Sequence, residues 1–309
     1  MDSTLNFLQE MIQLYSIALL GFLVRKFGIF NENTNHVLTQ LILYITLPAL
    51  ILYSLNMPFS YHLMKDFLWL IAMSSYALLL SIFLAIWMRN RSQLNENQKS
   101  VYEGLIIFGN QGYIGFAVIF AIFGEQGIVY LTMYNIVLFI LIWTYGIYLF
   151  SRSKATINWS KVFLNPGTFS TFVGLIILFL PISMPSGIAN TLESLGKMTV
   201  PLSMILIGSL IADVKYNDFP LLLKNKYIWK AALAKLLIVP LLLLPFAFLS
   251  VPLPLLTIAV LVAGMPSAPT ISIYAQEYNG DTLFASIGVI VSSLLCVITI
   301  PFLYFILSL

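Results

Sequence analysis

Asn110 and Gln111 sit inside Gly109-Asn110-Gln111-Gly112-Tyr113-Ile114-Gly115, and Ser267 inside Gly264-Met265-Pro266-Ser267-Ala268-Pro269, with Thr270 directly after it. Both stretches interrupt apolar runs otherwise long enough to span a bilayer. Each interruption leaves unpaired carbonyls at the end of one half-helix and unpaired N–H groups at the start of the next, equivalent to about half a charge at each end. Two N–H ends meeting near mid-membrane favour an anion, while the carbonyl ends favour a cation or a donor group. The amides of Asn110 and Gln111 offer donors and acceptors without a buried formal charge. Pro266 and Pro269 stop the incoming helix and lack the N–H that a new helix start leaves unpaired. Asn135, about one turn above the middle of the next apolar segment, is placed to face the same cavity. The expected substrate contacts are Asn110, Gln111, Gly112, Asn135, Pro266, Ser267, Pro269 and Thr270. Against this stands a purely structural reading, in which the amides bond neighbouring helices and the hydroxyls bond their own backbone.

The chain that positions these residues has 309 of them, 60% hydrophobic and 9% charged. That balance excludes a soluble globular domain and places the protein in a membrane. Broken backbone is tolerated there only where protein or a water-filled cavity satisfies it, so paired interruptions point to a path for something polar. The single cysteine, Cys296, lies in an apolar run, which excludes disulfides and cysteine metal sites within one chain and reads as core packing. No basic residue precedes the first apolar run, so a cleaved signal peptide is not expected.

Apolar stretches of spanning length fall near 5–24, 36–55, 67–88, 101–123, 128–150, 167–182, 195–212, 229–250, 254–276 and 283–307. The expectation is an all-α polytopic protein of ten transmembrane helices. Twelve Lys and Arg residues, from Arg25 to Lys230, follow helices 1, 3, 5 and 7, against Lys65 and Lys197 on the other side. Basic loops stay in the cytoplasm, so both termini are expected outside. Thr199-Val200-Pro201 repeats Thr46-Leu47-Pro48 at an offset of 153 residues, and Gly264 follows Gly109 at 155. Five helices per copy is an odd number, so residues 1–152 and 153–309 read as two inverted repeats whose broken helices 4 and 9 cross. Such symmetry supplies two conformations of similar energy, as alternating access requires.

Pro48 and Pro201 read as kinks, with Thr46 and Thr199 satisfying the freed carbonyls. Glu103 is expected to pair with Lys99, one turn earlier, at the cytoplasmic interface. Lys235 is expected to snorkel to that interface, the alternative being an attraction for anions at the inner mouth. His36 and His62 fall at segment ends. With no mid-membrane Asp, Glu or His, obligatory proton carriage by a side chain is disfavoured. The chain has no G-x-x-x-x-G-K-[ST], H-E-x-x-H or G-x-S-x-G, so neither an enzyme nor an ATP-driven pump is expected, and no cofactor, metal or nucleic acid is implied.

Arg25-Lys26-Phe27-Gly28 through Thr46-Leu47-Pro48, the Gly109–Gly115 stretch, and Gly264-Met265-Pro266 followed by Tyr274-Ala275-Gln276-Glu277-Tyr278 together resemble the auxin efflux carrier family over essentially the whole chain. The resemblance implies helices 1, 2, 6 and 7 as a dimerising scaffold and helices 3–5 and 8–10 as a transport unit moving like an elevator. Its members include plant auxin exporters and bacterial permeases for malate, malonate and similar acids. Asn110, Pro266 and Pro269 are the positions it carries over. The chain departs from many plant exporters in lacking a long cytoplasmic loop between its halves and in lacking an asparagine in the second interruption. The expected function is secondary transport of a small organic anion across the cell membrane by a homodimer. The rivals are a sodium-coupled symporter of the bile-acid carrier type and a receptor that binds without transporting.

Overall fold

The computed structural model describes residues 2–57, 60–151, 166–180, 184–212 and 225–308. Its regular elements are all helices: α1 (Asp2–Lys26), α2 (Glu32–Leu55), α3 (Tyr61–Asn90), α4 (Glu96–Ile107), α5 (Gln111–Ser151), α6 (Pro166–Phe179), α7 (Ser186–Ala212), α8 (Lys226–Phe248), α9 (Leu253–Ala263), α10 (Thr270–Glu277) and α11 (Thr282–Ser308). Six of these, α2, α3, α5, α7, α8 and α11, are long and apolar enough to cross a membrane, while α6 and α9 are shorter apolar helices. Arg152, Lys154, Lys161, Lys215 and Lys224, and the boundary expected between the repeats, lie outside the described residues.

Local chemistry fixes where the helices start. Asn31 forms a capping box with Thr34, Asn95 accepts from the N–H of Gln98, and Asn225 from that of Tyr227. Pro48 lies just beyond a π turn, Ile42–Thr46, whose extra residue accommodates the missing donor. Pro201 stands in the first turn of the segment Thr199–Ala212, where an N–H would be unpaired in any case. The expected repair of these kinks by Thr46 and Thr199 is therefore corrected. Both hydroxyl oxygens are buried without a partner, because the backbone itself carries the chain past each proline. In α5, Gly124 adopts φ 60°, ψ −147°, a bend that falls in the gap between the apolar stretches expected at 101–123 and 128–150.

The chain forms two compact units, each drawn from both halves of the sequence. Residues 1–68, 112–136 and 163–214 form unit 1. In it α1 lies directly on α7. A Cβ on Gly21 would overlap the carbonyl oxygen of Ile205, and one on Gly208 that of Ala18. Each glycine thus meets the residue three positions before the other glycine. Because Cα–Cβ bonds tilt toward the helix N-terminus, this is the geometry of two parallel helices with their glycines level. Ser209 near the end of α7 donates to Asn35 near the start of α2 (2.6 Å), which places the same ends together. Further along, Gly196 admits the backbone of Leu50, and Gly174 the side chain of Leu55. Polar pairs in this unit join Tyr53 to Glu125 (2.8 Å) and Tyr130 to buried Asp66 (3.0 Å), with exposed His62 3.3 Å from Asp66.

Residues 69–111, 137–162 and 215–309 form unit 2. Its core includes Tyr102, Phe108 and Leu236 with the apolar faces of α9 and α11. Leu105 of α4 fills the space left by Gly288 of α11, and Leu303 that left by Gly264. Glu103 is fully buried, contrary to the expected interfacial pair with Lys99. Its carboxylate accepts from the Arg89 guanidinium at 2.7 Å and from the Tyr145 hydroxyl, while Lys99 bonds Glu96 at 2.7 Å. Glu103 faces the core side of α4, where the long Arg89 fork reaches it and the solvated Lys99 stem does not.

Candidate functional site

In unit 2 the two interruptions lie against each other. Helix α4 ends at Ile107 and Phe108 turns extended (φ −91°, ψ 116°), while α9 ends at Ala263 and α10 starts only at Thr270. The intervening backbones pair antiparallel. The Asn110 N–H donates to the Pro266 carbonyl at 2.6 Å, the Ala268 N–H donates to the Phe108 carbonyl at 2.9 Å, and Gly109 faces Ser267 between them. Backbone groups freed by breaking two helices are thus satisfied by one another, which is how irregular backbone persists away from water.

Ser267 locks the arrangement. Its hydroxyl donates to the Leu105 carbonyl at 2.7 Å, and its N–H donates to the Ser292 hydroxyl of α11 at 3.0 Å. Ser267 was expected to meet substrate, yet the structure occupies its hydroxyl with the end of α4. Ser267→Ala is expected to leave that carbonyl bare and lower stability by about 1–2 kcal/mol, read from thermal unfolding in detergent. An unchanged melting curve with lost uptake would instead mark a hydroxyl that serves the ligand.

Gln111 is buried at the start of a π turn, Gln111–Gly115, so the first interruption is confined to Phe108–Asn110 and its later glycines lie in helix. The Gln111 amide reaches the Val262 carbonyl only at 3.4 Å, and its oxygen has no partner. Pro266 is buried, whereas Pro269 and Thr270 are half-buried at the start of α10, with Pro269 as the residue before its first turn. Asn110, Gln111, Pro266 and Ser267 come together; Pro269 and Thr270 follow on the same strand of backbone. Gly112 and Asn135 fall in unit 1. Asn135 is fully buried and neither polar atom of its amide has a partner, the mark of a group that meets water or a ligand.

Lys235 is the residue whose place the sequence misjudged. It does not snorkel: only 1% of it is exposed, and its amine lies 3.4 Å from the Ile107 carbonyl and about 3.0 Å from where a Gly109 Cβ would stand. A π turn at Ala234–Ile238 carries Lys235 on α8, and Ala231, Ala232 and Ala234 around it are buried too. The small neighbours let α8 pack inward at this level, so the stem has no path to the interface. A lone lysine among alanines was the signal. Residues 105–115 and 260–276 contain no carboxylate, so the Lys235 amine has no counter-charge within either stretch.

A multi-pass helical membrane protein with a hydrogen-bonded pair of helix breaks beside a buried lysine is the class that the fold and site define. A family model described as membrane transport protein matches residues 6–304. The chain belongs to that family, the auxin efflux carrier and membrane transport family. It is 24% identical over 306 residues to an uncharacterized transporter of Methanothermobacter thermautotrophicus, covering 95% of this chain and 96% of the relative. It is 23% identical over 199 residues to an uncharacterized transporter of Methanocaldococcus jannaschii, covering 62% of this chain and 65% of the relative's length.

Proposed function

We propose that this protein is a secondary transporter of a small organic anion, a mono- or dicarboxylate, that binds at the paired breaks of unit 2 and crosses by alternating access. One observation carries the reading: two interrupted apolar segments are joined backbone to backbone, contain no carboxylate, and have the buried Lys235 amine of α8 against the end of one of them. Nearby helix starts and the Lys235 amine favour a negative solute, whose charge would offset that of the amine, and the Asn110 and Gln111 amides orient it without adding charge. Pro266, Ser267, Pro269 and Thr270 frame the break, and Asn135 with Gly112 remain candidates on their own unit.

The resemblance and the spaced Thr-x-Pro motifs support ten helices in two inverted repeats with crossing helices 4 and 9, in the cell membrane, with both termini outside. Elevator-type movement of helices 3–5 and 8–10 against a dimeric scaffold of helices 1, 2, 6 and 7 belongs to the same reading. No carrier chemistry beyond binding is required of the protein, so it acts as a permease and not as an enzyme.

Proteoliposomes preloaded with unlabelled acid and offered a panel of labelled mono- and dicarboxylates test this directly. Saturable counterflow of at least one acid is expected, and Asn110→Ala is expected to reduce it by about tenfold or more in correctly inserted protein, the worth of one hydrogen bond to a charged group. Binding without counterflow would make the protein a receptor. Uptake untouched in the variant would move the site elsewhere.

A further inference from the structure

Among the described residues the Lys235 amine has no counter-charge, and its hydrogen bond, to the Ile107 carbonyl at 3.4 Å, is a long one. Helices α4 and α11 pack along this part of α8, and α9 packs on its C-terminal end. On α4, Glu96 is paired with Lys99, Glu103 is held by Arg89 and Tyr145, and the Tyr102 ring stands edge-on to Tyr227 of α8. Helix α11 has no carboxylate; its titratable groups are Cys296, whose thiol donates to the Ser293 carbonyl, and Tyr304, while Asp281 just before it accepts from Gln98. Helix α9 has no titratable group, Tyr76 of α3 meets α8 only at Phe246, and on α8 itself Lys226, Tyr227 and Lys230 lie a turn or more before Lys235. Every carboxylate on the helices packed here is thus spent on another partner. An unpaired ammonium taken out of water costs several kcal/mol and a neutral amine far less, so this burial favours the neutral form until a negative group arrives from outside. Room and open valences await one. A Cβ on Gly109 would stand 3.0 Å from Nζ and 3.5 Å from the Gln111 Cγ, so amine and amide border the same glycine, and the buried Gln111 Oε1 has no partner. An ammonium has three N–H donors, one more than an amine: Ile107 O takes one, Gln111 Oε1 can take another, and one is left for a carboxylate.

We propose that Lys235 is a proton carrier coupled to the solute: its amine is uncharged in the empty site and takes up one proton when a carboxylate binds beside it, so that acid and proton cross and leave together. The proton comes from water on the side where the solute enters and adds to the nitrogen lone pair, with no bond broken in the solute. It returns to water on the other side when the carboxylate departs. A monocarboxylate therefore crosses without net charge, and a dicarboxylate with one negative charge. The inference rests on the transport reading and names its coupling ion. A lysine thus does what a mid-membrane Asp, Glu or His would otherwise do.

The test begins with wild type in detergent and weak buffer at about pH 7.5, where acetate, lactate, malonate and malate are ionised, with a pH-indicator dye in solution. Each of these acids that binds is expected to draw about one proton from solution per acid bound, the same count for each because the acceptor belongs to the protein. Lys235→Gln, with no basic nitrogen, and Lys235→Arg, already charged, are expected to draw none. In proteoliposomes with the membrane potential clamped by potassium and valinomycin, lowering the outer pH by about one unit is expected to raise wild-type accumulation of the same acid about tenfold over protein-free liposomes, the value for one proton per acid. Both variants are expected to lose that response. Binding by wild type with no proton drawn overturns the proposal, whether or not a variant folds, and leaves the transport reading standing. So does proton uptake that persists in a folded Lys235→Gln or Lys235→Arg, or that differs from acid to acid, since the proton then rides on the solute. If none of the four acids binds or moves, the transport reading itself fails and the proposal with it.

Discussion

Arg89→Ala is expected to destabilise the protein by about 3–5 kcal/mol, because it strips the charge partner from a carboxylate with no access to water. Glu103 is fully buried, and its remaining partner is the Tyr145 hydroxyl. A melting temperature lower by about 10 °C in detergent would express that loss for a chain of this size. The double variant with Glu103→Gln is expected to recover much of it, since a neutral amide keeps the Tyr145 bond without a stranded charge. Failure of the second change to help would show that Arg89 acts through the packing of its stem. The position gives the pair a role beyond stability. Glu103 stands one turn before Ile107, so the ion pair anchors the helix that ends in the first break.

The second large effect is expected at Gly208→Leu. A Cβ there overlaps the backbone of α1 at Ala18, and its next backbone contact, Phe22 N, stands at 2.8 Å, so no rotamer of a larger residue relieves the clash. Separating two helices in contact along this seam is expected to cost about 3 kcal/mol or more and to leave little folded protein after extraction in mild detergent. Gly187→Ala is the matched control. Nothing lies within 4 Å of its Cβ position, and yield and melting temperature are expected to stay at the wild-type level.

Much of this architecture is written in the order of the residues. The two interruptions are legible because glycine and proline act on the backbone of their own segment, and the helix starts at Asn31, Asn95 and Asn225 are equally local. What depends on residues distant in sequence is not. Glu103 has Lys99 one turn away and Arg89 on another helix, and only the direction in which α4 faces decides between them. Lys235 sits among alanines whose smallness reads equally as helix propensity or as close packing, and the second meaning appears only once α4 lies beside α8. The partnerless Asn135 amide is likewise a fact of its surroundings, and its spacing gave only the face it occupies.

The glycine seam between α1 and α7 also constrains how the polypeptide is threaded. Where both span, as the sequence leads one to expect of residues 5–24 and 195–212, two helices pressed together level and pointing the same way must start from the same side of the bilayer. The chain that leaves one and re-enters at the other must therefore traverse the lipid an odd number of times in between. A hydropathy count that adds or loses one passage among residues 27–185 would turn α7 upside down and carry Gly208 away from Ala18. For two spanning helices, parity of threading follows from a steric contact between two small residues, independently of where the basic loops fall.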